Sequence, residues 1–509
     1  MTEKPGQSTL CAMCGFIGIT MQQSCAPLLQ LGLQALQHRG QDSAGIGTLC
    51  QDQFPVVRHL GLVGQSFTAA DLETLAGNTG IGHVRYPTIG AGNLRDAQPF
   101  WYRQPGVLMA HNGNLINLES MYRRLAENSV QLLSRCDIEP MLCIFCLELM
   151  ARRRRDHSVE DAVAALKETF RHTRGAFSVV AALRLEGKDT LMVFRDSRAI
   201  RPAVWGRVDG GFVAASESVA LDAIEAKLLG DVPAGSVMFF RAGEEPLQFS
   251  IEPAHSSPCV FEYIYFARPD SIMNGRSVYG TRMQLGRELA RAWKQKGWQA
   301  DVVIPIPDTS RPAANALAEE LRLPFREGFI KNRYSGRTFI MQSRRERTSA
   351  LRLKLNPIRE EFRGRRVLVV DDSIVRGTTL QRTIQLIREQ EPAEVHLAIY
   401  SPPVLFPCYY GIDMSTREEL AAPAFSDCRY EQADAAALDR ARQQVEEGLA
   451  ARLGLDSLTY LPLDGLWRVF ASGRCASCFD GKYPLELTED ERCYIEKDRR
   501  SCVQRELCL

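Results

Sequence analysis

Residues 367–379 read VLVVDDSIVRGTT: an apolar run, two acids, a short loop and the first residues of a helix. This order is typical of a buried strand whose following loop binds phosphate, because backbone N–H groups at a helix N-terminus attract anions. The chain has no GxxxxGK[ST] pattern, so the loop is not a P-loop. For two adjacent acids taken alone, a solvated turn is the alternative.

Strand-like and helical segments alternate on both sides of this stretch. Such alternation predicts βαβ units and an α/β domain with a parallel sheet, over roughly 260–465. The strand-like segments are DVVIPIP (301–307), RVLVVDD (366–372) and EVHLAIYSPP (394–403), and the helical ones are AANALAEEL (313–321) and LQRTIQLIREQ (380–390).

The preceding region has a different pattern, with short apolar runs between glycine-rich turns. VLMAHNGNLI (107–116) reads as a strand, a turn and a second strand, because Asn-Gly is a strong turn signal. Polar residues 241–258 read as a linker. We therefore predict an α+β domain over 14–245. Its further elements are strands in FSVVAAL (177–183), LMVFRD (191–196) and FVAASES (212–218), and helices over 117–127 and 158–171.

Composition limits the class of protein. The net charge of +1 over 509 residues argues against general nucleic-acid binding. No apolar run approaches the ~18 residues of a membrane span, and no secretory signal is visible. Fifteen cysteines without such a signal indicate a reducing compartment, where cysteines serve metals or catalysis. We expect a cytoplasmic protein with no membrane or nucleic-acid partner.

Three Cys-x-x-Cys pairs differ in their surroundings. Cys143 and Cys146 lie in apolar MLCIFCLELM and read as core residues. Cys475 and Cys478 lie in a turn-like segment, GRCASCFDGKYP, that supplies half of a metal site. Their spacing alone does not separate zinc from an iron–sulfur cluster.

The third pair, in CAMCGFIG (11–18), contains a candidate nucleophile. Cys14 opens a strand-like run, and no histidine lies near it before His38. A cysteine at a chain terminus has its own α-amino group as a base, with a pKa of about 7.7–8.0. Catalysis by Cys14 would thus require residues 1–13 to be absent, either as a cleaved propeptide or because Met13 is the start.

Several long motifs carry a resemblance that runs from Cys14 to about Pro484. The chain resembles the N-terminal-nucleophile (Ntn) glutamine amidotransferases, and within them the glutamine phosphoribosylpyrophosphate amidotransferase family. The resemblance implies an α+β Ntn glutaminase sandwich followed by an α/β type I phosphoribosyltransferase domain, with 466–509 as a cysteine-bearing segment. It also implies formation of 5-phosphoribosylamine in purine synthesis. The motifs are CGFIG, LQHRGQDSAGI (36–46), GHVRYPT (82–88), AHNGNL (110–115), ASES (215–218), FEYIYFARPDS (261–271), VIPIPDTS (303–310), KNRYSGRTFI (331–340) and VLVVDDSIVRGTT.

For the glutaminase half, the resemblance implies that the Cys14 thiolate attacks glutamine and that Asn112 and the N–H of Gly113 form the oxyanion hole. Arg85 would bind the glutamine carboxylate and Asp137 its ammonium. This half of the chain departs from the family twice. Cys-Asp-Ile-Glu (136–139) stands where Ser-Asp-Ser-Glu is usual, and Arg198 and Ala199 replace a glycine-containing turn.

For the second half, the resemblance implies sites for phosphoribosyl pyrophosphate and Mg²⁺. Asp371 and Asp372 would hold the ribose hydroxyls, directly or through Mg²⁺, with Thr309 near the metal. The implied 5-phosphate ligands are Ser373, Arg376, Gly377, Thr378 and Thr379. Pro307 and Asp308 match the pyrophosphate-side loop, and Lys331, Arg333 and Arg337 match a segment that closes over the leaving pyrophosphate.

The resemblance further implies a [4Fe–4S] cluster on Cys259, Cys408, Cys475 and Cys478, with zinc as the alternative. It also implies a homotetramer inhibited by purine nucleotides. Two other functions stay open at this point: a glutaminase joined to a sugar-phosphate aminotransferase, and a phosphoribosyl-pyrophosphate-binding regulator without catalysis.

Overall fold

Two antiparallel sheets form the first half of the protein. A computed structural model describes residues 14–51, 53–86, 94–152, 156–332, 355–414, 416–429, 433–470, 473–493 and 495. The strands of the first half are β1 Gly15–Thr20, β2 Ser43–Leu49, β3 Val56–Leu60, β4 Thr79–Arg85, β5 Phe100–Tyr102, β6 Val107–Leu115, β7 Gly175–Leu185, β8 Lys188–Arg195, β9 Val204–Val208, β10 Gly211–Ala215, β11 Lys227–Asp231, β12 Ser236–Phe240 and β13 Leu247–Ser250. Their orders are β11-β9-β10-β1-β4-β2-β3 and β13-β12-β8-β7-β6-β5.

The two sheets pack face to face with helices on both outer faces. Phe16 and Ile81 of one sheet share a buried apolar cluster with Leu108 and Val180 of the other. The resulting αββα layers are the predicted glutaminase sandwich. Its helices are α1 Ala26–Ala35, α2 Val63–Ser66, α3 Ala69–Thr74, α4 Leu118–Glu127, α5 Ile138–Met150, α6 Val159–His172 and α7 Val219–Asp222. The core role predicted for Cys143 and Cys146 is confirmed, since both are buried on α5.

Two sequence predictions about this half are wrong. Residues 107–115 form one continuous strand, not a strand–turn–strand, and Asn112 and Gly113 pair with Ser178 and Phe177 of β7. The long antiparallel partner overrides the local turn signal of Asn-Gly. The polar stretch 241–258 is also not all linker, because β13 pairs with β12 at the edge of the second sheet.

The second half contains a four-stranded parallel sheet of order β16-β19-β20-β21. The pairs β14-β15 and β17-β18 form two further small sheets. The strands of the second half are β14 Ile272–Met273, β15 Arg276–Ser277, β16 Val302–Pro305, β17 Phe329–Lys331, β18 Leu355–Pro357, β19 Arg366–Asp371, β20 Glu394–Ile399 and β21 Ser457–Tyr460. Its helices are α8 Val278–Lys296, α9 Arg311–Leu321, α10 Arg359–Phe362, α11 Thr378–Arg388, α12 Ala435–Leu453, α13 Leu463–Val469 and α14 Ser477–Asp480.

Helices cover both faces of this sheet. Leu368 and Val370 of β19 pack with α8 and α9, while Val367 and Val369 pack with α11 and α12. Burial on both faces explains why the strands read as nearly continuous apolar runs. In the part of the chain that the structure describes, no helix is both long and apolar enough to cross a membrane.

Candidate active sites

The Cys14 side chain is buried at the start of β1, opposite the end of β4. Gly15 pairs with Val84, which places Cys14 beside Arg85. Its Sγ lies 3.7 Å from the Tyr86 carbonyl oxygen. Cys14 as a whole is 9% exposed. Burial raises the pKa of the thiol, and the positive charge of Arg85 only partly offsets this. The thiol is therefore neutral at pH 7 and needs a base to become a nucleophile.

Asn112 and Gly113 of β6 are the predicted oxyanion donors. Asn112 is 1% exposed, and its Nδ2 makes no hydrogen bond to any residue that the structure describes. A buried donor without a partner is costly and uncommon in native proteins. At Gly113, a Cβ would lie 2.0 Å from the Ala176 carbonyl oxygen, so this position admits only glycine. An oxyanion bound here would satisfy the free Asn112 amide.

Asp137, directly before α5, lies in the same site. Its Oδ2 accepts hydrogen bonds from the Leu115 N–H at 3.0 Å and contacts His111 Nε2 at 3.2 Å. Burial alone would raise the pKa of Asp137, but these two partners bring it below its usual range. Both Asp137 and Arg85 act electrostatically on the Cys14 thiol, so the structure brings the predicted glutaminase residues together.

The two departures from the family motifs have simple structural outcomes. The Cys136 thiol faces the Asp137 carboxylate at 3.9 Å and stays neutral, since burial raises its pKa to about 12. It is thus a weak donor where the family has a hydroxyl. Ala199 adopts φ +46°, a left-handed conformation that glycine reaches without strain. The turn is held by Asp196, which accepts from the N–H groups of Phe177 and Arg198 at 2.9 and 2.8 Å.

In the second half, two acids stand at the carboxyl end of β19, where open α/β sheets bind ligands. Burial and the neighbouring Asp372 raise the pKa of Asp371. Burial likewise raises the pKa of Asp372 to about 6, although Ser373 donates to its Oδ1 at 2.7 Å. Without a ligand, both carboxyls are therefore protonated below about pH 6, and a bound cation would favour their ionised forms.

The loop after these acids leads into α11. Gly377 precedes the helix with φ +77°, and Thr378 and Thr379 form its first turn. The predicted phosphate ligand Arg376 contacts Glu419 at 2.9 Å and Asp413 at 3.6 Å. In this conformation the Arg376 guanidinium is thus held by carboxylates.

The predicted pyrophosphate-side loop lies next to the acids. The Ile306 N–H donates to the Val370 carbonyl at 2.8 Å, just before Asp371. Lys331 Nζ lies 2.7 Å from Asp308 Oδ2, and the Tyr400 hydroxyl donates to the Thr309 carbonyl at 3.3 Å. Arg333 and Arg337 lie outside the described residues.

The four predicted cluster cysteines are buried in one region. Cys259 and Cys475 form an isolated β-bridge, and all four belong to the same buried cluster. Burial and the other three cysteines raise the pKa of Cys478. No three His, Cys, Asp or Glu side chains of the described residues, these four included, are arranged to hold a single metal ion.

Known proteins match the whole of this architecture. A model described as a glutamine amidotransferase domain matches residues 87–223, and one described as a phosphoribosyl transferase domain matches 280–401. The amidophosphoribosyltransferase of Methanothermobacter thermautotrophicus is 37% identical over 505 residues, covering 98% of this chain and 99% of the relative. The chain belongs to the amidophosphoribosyltransferase family. The amidophosphoribosyltransferase of Pseudomonas aeruginosa is 39% identical over 489 residues, covering 92% of this chain and 93% of the relative.

A solved amidophosphoribosyltransferase structure agrees. The glutamine phosphoribosylpyrophosphate amidotransferase of B. subtilis, complexed with ADP and GMP, has a TM-score of 0.80 at 33% identity, covering 94% of this chain and 98% of that one. As an amidophosphoribosyltransferase, the chain is an enzyme of purine biosynthesis that uses glutamine to aminate phosphoribosyl pyrophosphate. The phosphoribosyl transferase match speaks against a sugar-phosphate aminotransferase as the second half.

Sequence reasoning missed a buried group of charges between the amidophosphoribosyltransferase halves. Arg39 donates to the Cys14 carbonyl, and Glu217, Glu262 and Arg201 complete the group. Arg39, Glu217 and Glu262 fall inside the quoted motifs LQHRGQDSAGI, ASES and FEYIYFARPDS, and Arg201 lies in RDSRAIRP. Their charge and their place in the motifs could have marked these residues as candidates. Nothing in the sequence indicated that their side chains contact one another.

Proposed function

We propose that Cys14 performs the glutaminase step as a processed N-terminal nucleophile. Its α-amino group takes the thiol proton, and Sγ attacks the carbonyl carbon of the glutamine side-chain amide. The same amine returns the proton to the departing nitrogen, which leaves as ammonia. Water then hydrolyses the thioester to glutamate and restores the thiol. The raised pKa of Cys14 supports the need for such a base.

The observation that carries this proposal is the buried Asn112 Nδ2, which has no partner among the described residues. The tetrahedral intermediate bears an oxyanion that needs preorganised donors, and this amide together with the Gly113 N–H would supply them. Arg85 and Asp137 would bind the carboxylate and ammonium of glutamine by charge-assisted hydrogen bonds.

In the second half, ammonia attacks C1 of phosphoribosyl pyrophosphate, the C1–N bond forms, and the C1–O bond to pyrophosphate breaks. The new ammonium group then loses a proton to the departing pyrophosphate or to water. We assign Ser373, Arg376, Gly377, Thr378 and Thr379 to the 5-phosphate. Lys331, Arg333 and Arg337 are assigned to the leaving pyrophosphate, whose charge they would balance. Asp371, Asp372 and Thr309 would hold Mg²⁺, which supplies positive charge at the pyrophosphate oxygens.

We propose that Cys259, Cys408, Cys475 and Cys478 hold a [4Fe–4S] cluster, with zinc as the alternative for the same four thiolates. The proximity of the four buried thiols supports a shared site, since Cys259, Cys408 and Cys475 all help to raise the pKa of Cys478. The cluster would link three distant chain segments. Iron and sulfide analysis with a visible spectrum tests this assignment, and a colourless zinc protein would refute it.

Exposure of Cys14 has two routes in this proposal: cleavage of residues 1–13, or translation from Met13 with removal of the methionine. Intact mass of the native protein should show a chain that begins at Cys14 by either route, and detection of a precursor containing residues 1–13 would identify the first. Active enzyme that retains Met1 would contradict both.

Nucleotide inhibition, a homotetramer and a cytoplasmic location complete the proposal. The ADP and GMP in the B. subtilis structure support the first of these. Inhibition of glutamine-dependent synthesis by GMP and ADP, and light scattering of the native enzyme, test the first two. Fractionation of the source cells tests the third.

The deciding experiment measures glutamate release by anaerobically purified protein, with and without phosphoribosyl pyrophosphate and Mg²⁺. Release that depends on both additions supports the coupled enzyme, in which ammonia passes between the halves shielded from water. Equal release with and without them would overturn the coupling. No release at all would favour the regulator without catalysis.

A further inference from the structure

Two carboxylates fix the plane of the Arg39 guanidinium beside the nucleophile. Arg39 is 1% exposed, and its Nε donates to the Cys14 carbonyl at 3.0 Å. Its Nη1 donates to Glu217, and its Nη2 donates to both oxygens of Glu262 at 2.9 and 3.0 Å. A guanidinium is a rigid planar fork, so carboxylates on both arms determine where Nε points.

These carboxylates come from different halves of the protein. Glu217 follows β10, whereas Glu262 begins a π-helical turn, Glu262–Phe266, at the start of the second half. Glu217 also accepts from the Ser271 hydroxyl of the second half at 2.6 Å. The orientation of Arg39 therefore depends on how the two halves meet.

Glu262 has a second arginine. Its Oε1 lies 3.3 Å from Arg201 Nη1. Arg201 in turn donates from Nε and Nη2 to the Tyr410 carbonyl, at 2.8 and 2.6 Å. Both Glu262 and Arg201 are almost fully buried, so these contacts are shielded from solvent.

The residues on either side of Tyr410 contact the strand that carries the oxyanion donors. The Tyr409 carbonyl accepts from Asn114 Nδ2 at 2.9 Å. The Gly411 backbone packs against Gly113, where a Cβ on Gly411 would lie 2.9 Å from the Gly113 carbonyl carbon. Glu262 is thus connected to the nucleophile through one arginine and to the oxyanion strand through another.

We infer that Glu262 is a positioning residue for glutamine hydrolysis, which sets Cys14 and the oxyanion strand in register through Arg39 and Arg201. The inference rests on the proposed role of Cys14. A nucleophile at a chain N-terminus has a single peptide tether, so its carbonyl hydrogen bond controls the directions of its thiol and amine. Small misplacements of reacting groups are costly in rate.

The test compares Glu262→Gln with Glu446→Gln. Glu446 is an equally buried glutamate of the second half, paired with Arg442 and Lys296. Both changes keep shape and remove one buried charge. Three readouts are measured: glutamate release with phosphoribosyl pyrophosphate and Mg²⁺, pyrophosphate release driven by ammonium salt, and alkylation of Cys14 by iodoacetamide as a function of pH.

For Glu262→Gln we expect kcat of glutamate release to fall about tenfold or more with the KM for glutamine within about twofold. Ammonia-driven pyrophosphate release should stay within about twofold of the parent, because it bypasses Cys14. The rate at which iodoacetamide alkylates Cys14, or the pH at which that rate is half-maximal, should differ from the value for the parent. Glu446→Gln should leave the ratio of the two activities unchanged.

Equal loss of both activities in Glu262→Gln, or no loss, overturns the positioning role. If Glu262→Gln does not fold, Glu262→Asp keeps the charge and must still lower the glutamine-driven rate selectively. A parent protein without glutamate release refutes the proposed function instead. Unchanged Cys14 alkylation in Glu262→Gln would then refute the positioning role on its own.

Discussion

Gly411 of the second half lies in backbone contact with Gly113 of the oxyanion strand. A Cβ built on Gly411 would stand 2.9 Å from the carbonyl carbon and 3.0 Å from the carbonyl oxygen of Gly113. Gly411 also has φ +104°, which side-chain-bearing residues rarely adopt. The synthase half thus touches the backbone proposed to stabilise the glutaminase intermediate.

Gly411→Ala should therefore reduce glutamine-driven activity more than ammonia-driven activity, because the new methyl displaces Gly113. The matched control is Gly454→Ala, at φ +68° with open space around the added Cβ. Backbone strain costs about 1–2 kcal/mol in Gly454→Ala, and Gly411→Ala is strained further because φ +104° lies outside the left-handed helical region. Only Gly411→Ala should change the ratio of the two activities in steady-state assays. A similar ratio in both variants would show that the contact has no role in hydrolysis.

Asn112 and Asn114 should separate catalysis from assembly. Asn112→Ala removes a donor that has no partner in the described part of the chain, so kcat of glutamate release should fall about 10²–10³-fold while the unfolding temperature changes little. Asn114→Ala removes the buried hydrogen bond to Tyr409 and should lower the unfolding temperature. Calorimetry and glutamate assays on both variants check this. A large stability loss in Asn112→Ala would argue for a structural role.

Asp372→Asn should stabilise the ligand-free enzyme at pH 7.5 while abolishing phosphoribosyl transfer. The folded pKa of about 6 lies above the ordinary 3.8, so the stability that protonated Asp372 provides is complete below about pH 4 and lost as pH rises through 6. Removing the charge should raise the free energy of unfolding by about 1–3 kcal/mol at pH 7.5 and leave it unchanged near pH 4.

Asp456→Asn is the control, for which we expect a change in stability of the opposite sign. The Val395 N–H and Arg388 lower the pKa of Asp456 against the effect of its partial burial. Its substitution should destabilise the protein at pH 7.5. Thermal unfolding of both variants from pH 4 to 8, without Mg²⁺, measures the two trends. Parallel curves for Asp372→Asn and the parent would contradict the raised pKa.

Replacing Cys475 and Cys478 together by serine should abolish iron binding and lower the unfolding temperature, because the remaining two thiols cannot complete a four-ligand site. The pair Cys143 and Cys146 has the same spacing on buried α5. Its double serine variant should retain iron and sulfide in full. Loss of iron in both variants would point to general misfolding.

Ala199→Gly should stabilise the protein by up to about 1 kcal/mol, because glycine adopts φ +46° without the Cβ clash. Denaturant unfolding of parent and variant measures the change. Ala203→Gly, at a buried position outside the residues with positive φ, is expected to destabilise instead. A destabilised Ala199→Gly would show that the alanine methyl packs usefully in this turn.

Local patterns in the sequence predicted most of the fold. The β19 run and the helices on either side followed from apolar periodicity and turn residues. Asn112 and Gly113 show where this approach fails. Their dipeptide indicates a turn in isolation, but pairing with β7 extends the strand through them. Local propensity gives way where a long antiparallel partner and burial determine the backbone.

The site residues divide in the same way. Cys14, Asn112 and Asp371 stand in long motifs, and the sequence alone identifies them as candidate site residues. Glu262 was not, because its partner Arg39 is 223 residues away and the pair forms only when the two halves pack. The charge of a residue and its place in a motif do not show which residue it contacts at such a separation in sequence.

Strand β6 places Asn112 and Asn114 on the same face, two residues apart, so one strand carries both a proposed oxyanion donor and a domain-docking contact. This limits modularity. A glutaminase half transplanted onto a synthase without a segment like 408–411 would bury the Asn114 amide with no acceptor, directly beside the residues that act on glutamine. Exchange of partners during evolution would then require redesign of the catalytic strand itself, and the boundary between the two halves is part of the enzyme's chemistry.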